Sequence, residues 1–382
     1  MSDKRNPLFY CATDKEVYDV LMSGKQRLTD SVLLELARDR GIFYSPNEDR
    51  DDLSDIISLL PHDYYDLNVL LTKREQKGRG EKMQSIVLKT ALTTDEIKAV
   101  AKEFEAAPPQ DETFKVSQNG EKININLEYS DLNFGKSRLM QRVVKEAKIE
   151  FDVSPSETVI RFPATAKGQQ VVEKLKNRLE EKKKAELPVI QIELTGLSGH
   201  EAKTEFFTRL IRGLPGYKLS NVTNVKVESS QSNSIPEDDD DDDPSEIPDA
   251  PRHEMLGVVR NVALKGESLL TSKQYQDLKG GGFYIASIIW RSDKTSGERE
   301  RVEFFAGFDK PKTGEGFTFS IRGIYTLNGL EYIAHPKKPK DEDKKQYIAL
   351  VEQAALSVLN ELLSEQKADS PTNSAEGENE KS

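Results

Sequence analysis

"KVSQNGEKININLEYS", residues 115–130, decides the fold class. Ile123, Ile125, Leu127 and Tyr129 alternate with Asn124, Asn126 and Glu128, the period-two pattern of a half-buried strand. The Asn119-Gly120 pair ahead of them is a hairpin-turn signal, so a second strand should precede it. The same form returns in "AKIEFDVSPSETVIRFP", with Ile149, Phe151 and Val153 on one face, and "VIQIELT" reads as a further strand. Helical spacing is interleaved at about 94–106, 136–147, 165–184 and 199–213, and the mixture makes this stretch an α+β domain.

Outward from that domain the pattern changes twice. Before it, residues 14–72 carry apolar side chains at helical spacing, among them Val17, Val20, Leu21, Leu33, Leu36 and Ala37. After it, Ser229 to Pro251 holds four prolines and a run of aspartates from Asp238 to Asp243, a composition unable to bury enough apolar surface to order itself. Beyond lies a strand-rich stretch. "GGGFYIASIIW" reads as a strand buried on both faces, followed by "RVEFFAGF" and "FTFSIRGIY" at hairpin spacing. "KKQYIALVEQAALSVLNELL" then places Tyr347, Leu350, Val351, Ala354, Ala355, Val358, Leu359 and Leu362 at steps of three and four, an amphipathic helix.

The expected organisation is therefore a helical unit with a basic loop over 1–82, an α+β domain over 83–228, an acidic disordered linker over 229–252, a strand-rich α+β domain over 253–366 ending in the amphipathic helix, and a disordered tail over 367–382. A length of 382 residues suits more than one core. The lone Cys11 allows no internal disulfide, and no apolar run approaches the length of a membrane span, so a soluble cytoplasmic protein is expected.

Charge is unevenly placed. The net charge of −11 matches the −9 of residues 237–250 plus the −2 of residues 367–382, which leaves the remainder close to neutral. An acidic total of this kind does not exclude a polyanionic partner. The aspartate run reads as a solubilising spacer, or as a mimic of a nucleic-acid backbone that docks on the chain's own basic strips.

Residues 33–60, "LLELARDRGIFYSPNEDRDDLSDIISLL", form a helix, loop, helix unit in which Gly41 can end the first helix and Pro46-Asn47 turn the chain. With Leu33, Leu34 and Leu36, then Arg40-Gly41-Ile42, then Arg50, Leu53, Ile56, Ile57 and Leu60, residues 29–60 resemble the SAP module found in many DNA-binding proteins. The resemblance implies DNA contact from the start of the second helix, with Arg50 as the nearby base. Eight acids against three arginines give residues 29–60 a charge of −5, which works against phosphate and toward a structural or protein-docking use.

A basic strip follows directly. In "KREQKGRGEK", Lys73, Arg74, Lys77 and Arg79 stand with two glycines, a mobile loop suited to sequence-blind phosphate contact. A second strip, "HPKKPKDEDKK", offers Lys337, Lys338 and Lys340, and "WRSDKTSGERERVEFF" adds Arg291, Lys294, Arg299 and Arg301 around a hairpin tip. Trp290, Phe283 and Tyr284 are expected in the core and not as stacking residues. His62, His200, His253 and His335 have no ligand spacing, so no metal and no cofactor are expected. The glycine run "LKGGGFY" precedes a strand and lacks the P-loop lysine. Glu146-Ala147-Lys148 and Glu201-Ala202-Lys203 match the acid-x-lysine triplet of metal-dependent nucleases, a pattern that arises by chance in a chain with 32% charged residues.

The sequence thus points to a non-catalytic nucleic-acid-binding subunit, DNA ahead of RNA, within a prokaryotic DNA-handling or antiphage assembly, although no residue encodes that setting. Partner proteins are expected, with self-association through the C-terminal helix and no membrane. The alternatives are an interaction scaffold that binds no nucleic acid, and a metal-dependent nuclease.

Overall fold

The computed structural model describes residues 12–25, 27–74, 81–109, 112–197, 199–229, 261–265, 269–297, 299–329 and 331–369. The expected linker, apart from Ser229, the aspartate run, Cys11 and the tail beyond 369 lie outside them. The chain is mixed α+β and falls into two compact units. One comprises residues 1–78, 101–117 and 125–148, and the other residues 79–100, 118–124 and 149–382.

The first unit begins with four helices, α1 (Asp14–Ser23), α2 (Asp30–Arg38), α3 (Arg50–Ser58) and α4 (Tyr64–Arg74). Thr13 and Glu16 cap α1 reciprocally, and the Asp49 carboxylate accepts the Asp51 N–H to start α3. Val17, Leu21, Leu28, Leu33, Leu53, Ile57, Leu67 and Leu70 form their common core. Leu139 and Met140, from a 3-10 turn over Arg138–Met140, close it.

Chain order continues with β1 (Met83–Leu88), α5 (Thr94–Ala106), β2 (Glu112–Asn119), β3 (Lys122–Leu132), β4 (Arg142–Val153), β5 (Thr158–Pro163), α6 (Ala166–Lys183), β6 (Val189–Gln191), α7 (His200–Arg212) and β7 (Tyr217–Ser229). Next come β8 (Asn261–Lys265), α8 (Lys273–Gly280), β9 (Phe283–Lys294), β10 (Glu300–Lys310), β11 (Glu315–Asn328), β12 (Glu331–Tyr332) and α9 (Asp341–Asp369). The quoted hairpin is present as β2 and β3, and Gly120 supplies the positive φ, +60°, that its two-residue loop needs. The helix expected over 136–147 is not formed. Only the 3-10 turn stands there, and β4 starts at Arg142, where Val143-Val144 favours extended backbone over the helical spacing.

In the second unit the strands run β5, β1, β11, β10, β9, β7, β8 across one antiparallel sheet, with β6 beside β1 and β12 beside β11. β1 from the stretch 83–228 pairs with both β5 and β11, and β7 pairs with β9 along its length. The segments on either side of the acidic stretch therefore share a sheet. Helices α7 and α9 pack on it and on each other. Between them lies a core of Phe206, Phe207, Trp290, Phe304, Phe308, Phe319, Val351 and Ala355, with Trp290 stacked on Phe304 at 5.3 Å. The apolar face expected on the last helix is real, but Val351, Ala355 and Leu359 spend it inside this unit, so it is not a free surface for self-association. Among the described residues no helix is long and apolar enough to cross a membrane.

Candidate nucleic-acid interface

The sequence-predicted bases do not share one environment. Arg50, the base of the SAP-like hairpin, turns inward. Its Nη1 donates to Asp30 at 2.7 Å, and its Nη2 donates to the carbonyls of Leu21 and Leu28 at 2.9 and 2.6 Å. These carbonyls belong to the last turn of α1 and the segment before α2, so Arg50 binds three helices together. Lys73 is exposed, 3.9 Å from Glu35. The side chain of Arg74, and all of Lys77 and Arg79, lie outside the described residues. Trp290 and Tyr284 are core residues, 0% and 3% exposed.

Lys337, Lys338 and Lys340 sit differently. All three are exposed, with no ion pair among the described residues. Lys337 bonds both ways to Ile324 of β11, its N–H donating to the Ile324 carbonyl and its own carbonyl accepting the Ile324 N–H, each at 2.9 Å. Pro336 lies over Gly323, where a Cβ would stand 2.5 Å from the proline Cβ. The lysine strip, made stiff by Pro336 and Pro339, is thereby fixed to the edge of β11.

Beside it the sheet carries arginines and tyrosines brought together by register. β10 pairs Arg301 with Asp293 and Glu303 with Arg291 on β9, and Arg301 with Tyr325 on β11. Arg301 holds Asp293 through two bonds of 2.6 and 3.0 Å while its guanidinium lies 4.2 Å from the Tyr332 ring centre. Arg291 donates to Glu303 and to the Tyr325 hydroxyl at 2.8 and 2.9 Å, and its guanidinium lies 4.7 Å from the Tyr325 ring centre. A bulge next to Glu303 leaves Arg322 as the extra residue of β11, 3.7 Å from the second Glu303 oxygen. Three arginines thus share two carboxylates. The Asp293 carboxylate raises the pKa of Arg301, and burial raises that of Tyr325, so Arg301 stays charged and the Tyr325 phenol neutral. Arg291, Arg299, Arg301 and Lys294 were visible in the sequence as a hairpin tip. Arg322, Tyr325 and Tyr332 were not; the signal for Arg322 and Tyr325 was a charge inside the otherwise apolar "FTFSIRGIY", and Tyr332 had none.

Neither nuclease triplet belongs to a metal-holding group of carboxylates among the described residues. Glu146 and Lys148 are exposed on β4, a strand where a helix edge was expected. Glu201 is exposed on α7, while Lys203 reaches the carbonyls of Pro311 and Lys312 and lies 4.6 Å from the Tyr284 ring centre. Burial lowers its pKa. Among the described residues no group of three or more His, Cys, Asp or Glu side chains is placed to hold a metal ion. A cleft of about 400 Å³ lies elsewhere in the same unit, lined by Gln84, Gln169, Asp309 and Phe162. Gln169 donates to Gln84 at 3.1 Å and Gln84 to Asp309 at 2.6 Å, so these three side chains form one hydrogen-bonded row. No family model matches this sequence, and the comparison with curated proteins finds no match.

Proposed function

We propose that the chain is a non-catalytic nucleic-acid-binding protein that meets phosphates along the arginine–lysine edge of β11, with DNA ahead of RNA as ligand. One observation carries the reading: Lys337 is locked by two backbone bonds beside Arg322 and Gly323, so the exposed lysines are held in place next to a patch where arginines outnumber carboxylates. Fixed lysines and guanidiniums on a sheet edge suit the sequence-blind contacts that position a protein on a phosphate backbone. Lys73 and the bases after it would add contacts of the same kind, whereas Arg50 contributes structure.

The test is a salt series of DNA binding on the full chain. The logarithm of affinity should fall steeply with the logarithm of salt, and replacing Lys337, Lys338 and Lys340 together by alanine should reduce that slope by about 2–3. Absence of binding at low salt ends the proposal.

The interaction-scaffold reading keeps one observation of its own, on the first unit. Arg40 donates to the Pro61 carbonyl at 2.7 Å and pairs with Asp66 at 2.7 Å, drawing the end of α2 to the start of α4. Near this clamp in sequence, Phe43, Leu59 and Tyr65 are 78%, 62% and 67% exposed. Phe43 and Leu59 in the acidic hairpin and Tyr65 just after it suit a basic protein partner, and the acids of the hairpin repel phosphate.

A further inference from the structure

The turn between the neighbouring strands β3 and β4 carries a second group of exposed apolar side chains, and its charge is the opposite of the helical hairpin's. Leu132, Phe134 and Val144 are 54%, 78% and 58% exposed. Residues 131–148 hold the bases Lys136, Arg138, Arg142, Lys145 and Lys148 and the acids Asp131 and Glu146, a net charge of +3 along this stretch of sequence.

This turn is a built frame. The Asn133 N–H donates to the Gln141 carbonyl at 2.7 Å, and the Asn133 side chain accepts the Gly135 N–H at 2.9 Å. Gln141 in turn donates to the Lys136 carbonyl at 3.1 Å. Its base is anchored in the first unit, where Arg138 grips Glu16 through two bonds and Leu139 and Met140 are buried. Phe134 is thus displayed from a fixed loop, two residues from the exposed Lys136. Lys136 and Lys148 have no ion pair among the described residues, while Lys145 pairs with Asp131 at 2.7 Å.

We infer that Phe134 is a base-stacking residue for single-stranded nucleic acid, with Lys136 beside it meeting the backbone. An aromatic face next to a cation matches an unpaired base next to its phosphate. A flat anionic membrane would engage the whole tip, and Asp131 and Glu146 on either side of it would then be driven against lipid phosphates. A strand can thread past them. The inference rests on the nucleic-acid reading above and adds to it the strandedness of the ligand and the residue that senses it.

The experiment uses the full chain, a fluorescent single-stranded thymidine oligonucleotide, its duplex, and vesicles of phosphatidylglycerol and phosphatidylcholine. Phe134→Ala should weaken single-strand binding about tenfold with the salt slope unchanged. Phe134→Trp should keep the affinity, and its indole emission should be quenched on binding, against a background from the buried Trp290. An unchanged single-strand affinity in Phe134→Ala, where the parent chain binds, overturns the inference and leaves the phosphate reading standing. A Phe134-dependent association with vesicles at unchanged oligonucleotide affinity reassigns the tip to lipid and overturns it too. No binding of either oligonucleotide by the parent chain removes the reading on which it rests. Phe134 is exposed, so circular dichroism of the variants should match the parent.

Discussion

Arg161 on β5 and Glu352 on α9 meet in the interior of the second unit: Nε and Nη2 of the arginine donate to one oxygen of the glutamate at 3.1 and 2.7 Å, and both residues are less than a tenth exposed. Arg161 also reaches Glu150 and Asp152 at 3.2 and 3.0 Å, and Lys122 and Lys345 complete the group. Three acids and three bases balance, and Arg161 is held above the usual guanidinium pKa by Glu352 and Asp152, against the pull of burial. The second oxygen of Glu352 is buried with no hydrogen-bond partner, so the pair fixes the position of α9 without being fully satisfied. Removing one partner leaves an uncompensated charge. Arg161→Ala or Glu352→Ala should cost about 3–5 kcal/mol, and the double replacement Arg161→Met with Glu352→Leu should recover much of that. Urea unfolding of the four proteins checks the cycle, and a double variant no better than the singles would contradict it.

Arg50 gives a second prediction, about stability and not binding. Arg50→Ala deletes the bonds to Asp30 and to the carbonyls of Leu21 and Leu28, so the first unit should lose about 2–3 kcal/mol. Arg50→Lys cannot span three acceptors and should restore only part of it. The DNA affinity of the folded variant should equal that of the parent chain. A loss of affinity at full folding would return Arg50 to the interface that the SAP resemblance implies for it.

Glu16 sets an acid limit on the same unit. Its hydrogen bonds to Arg138 lower its pKa from 4.5 to about 2. A depressed carboxylate stabilises the fold above the unfolded value, and the contribution drains away as pH falls from 4.5 toward 2. Arg138 is 41% exposed, so solvent screening limits the effect to about 1–2 kcal/mol. Denaturant unfolding between pH 6 and pH 2 should show Glu16→Gln less stable than the parent near neutrality and converging on it at the acid end. Parallel curves would mean that the pair adds nothing.

How far the sequence could be read depends on how local each cause is. The hairpin over 115–130, helices α6 and α7, the buried run of β9 and the apolar face of α9 all follow from spacing within one segment, and each is present. The stretch 136–147 failed because a single amphipathic turn imitates a helix, while Val143-Val144 and the sheet partners of β4 decide the backbone. The inward turn of Arg50 was not legible in its own segment, because the carbonyls that hold it lie more than twenty residues upstream. The grouping of Arg291, Arg301, Arg322 and Tyr325 depends on the register of three strands and on a bulge, neither of which periodicity reveals. The three lysines at 337, 338 and 340 were visible as a charge run. Their attachment to β11 was not.

That attachment can be tested through a residue with no charge. Gly323 is the point where Pro336 crosses β11, and a methyl group there would overlap the proline ring at 2.5 Å. Gly323→Ala must therefore push the segment before Lys337 away from the strand and strain or break its two bonds to Ile324. Overpacking of this kind costs about 1–3 kcal/mol, and it falls on the loop more than on the sheet, because β10 and β11 remain paired on the other side. If placement of the lysines is what serves binding, Gly323→Ala should lower DNA affinity and flatten the salt dependence while every cation is still present. Charge alone, held anywhere on a flexible segment, would leave both unchanged. Titrations of parent, Gly323→Ala and the triple lysine variant over one salt series separate these outcomes, and a Gly323→Ala slope equal to the parent's would mean that the edge of β11 is not the binding frame.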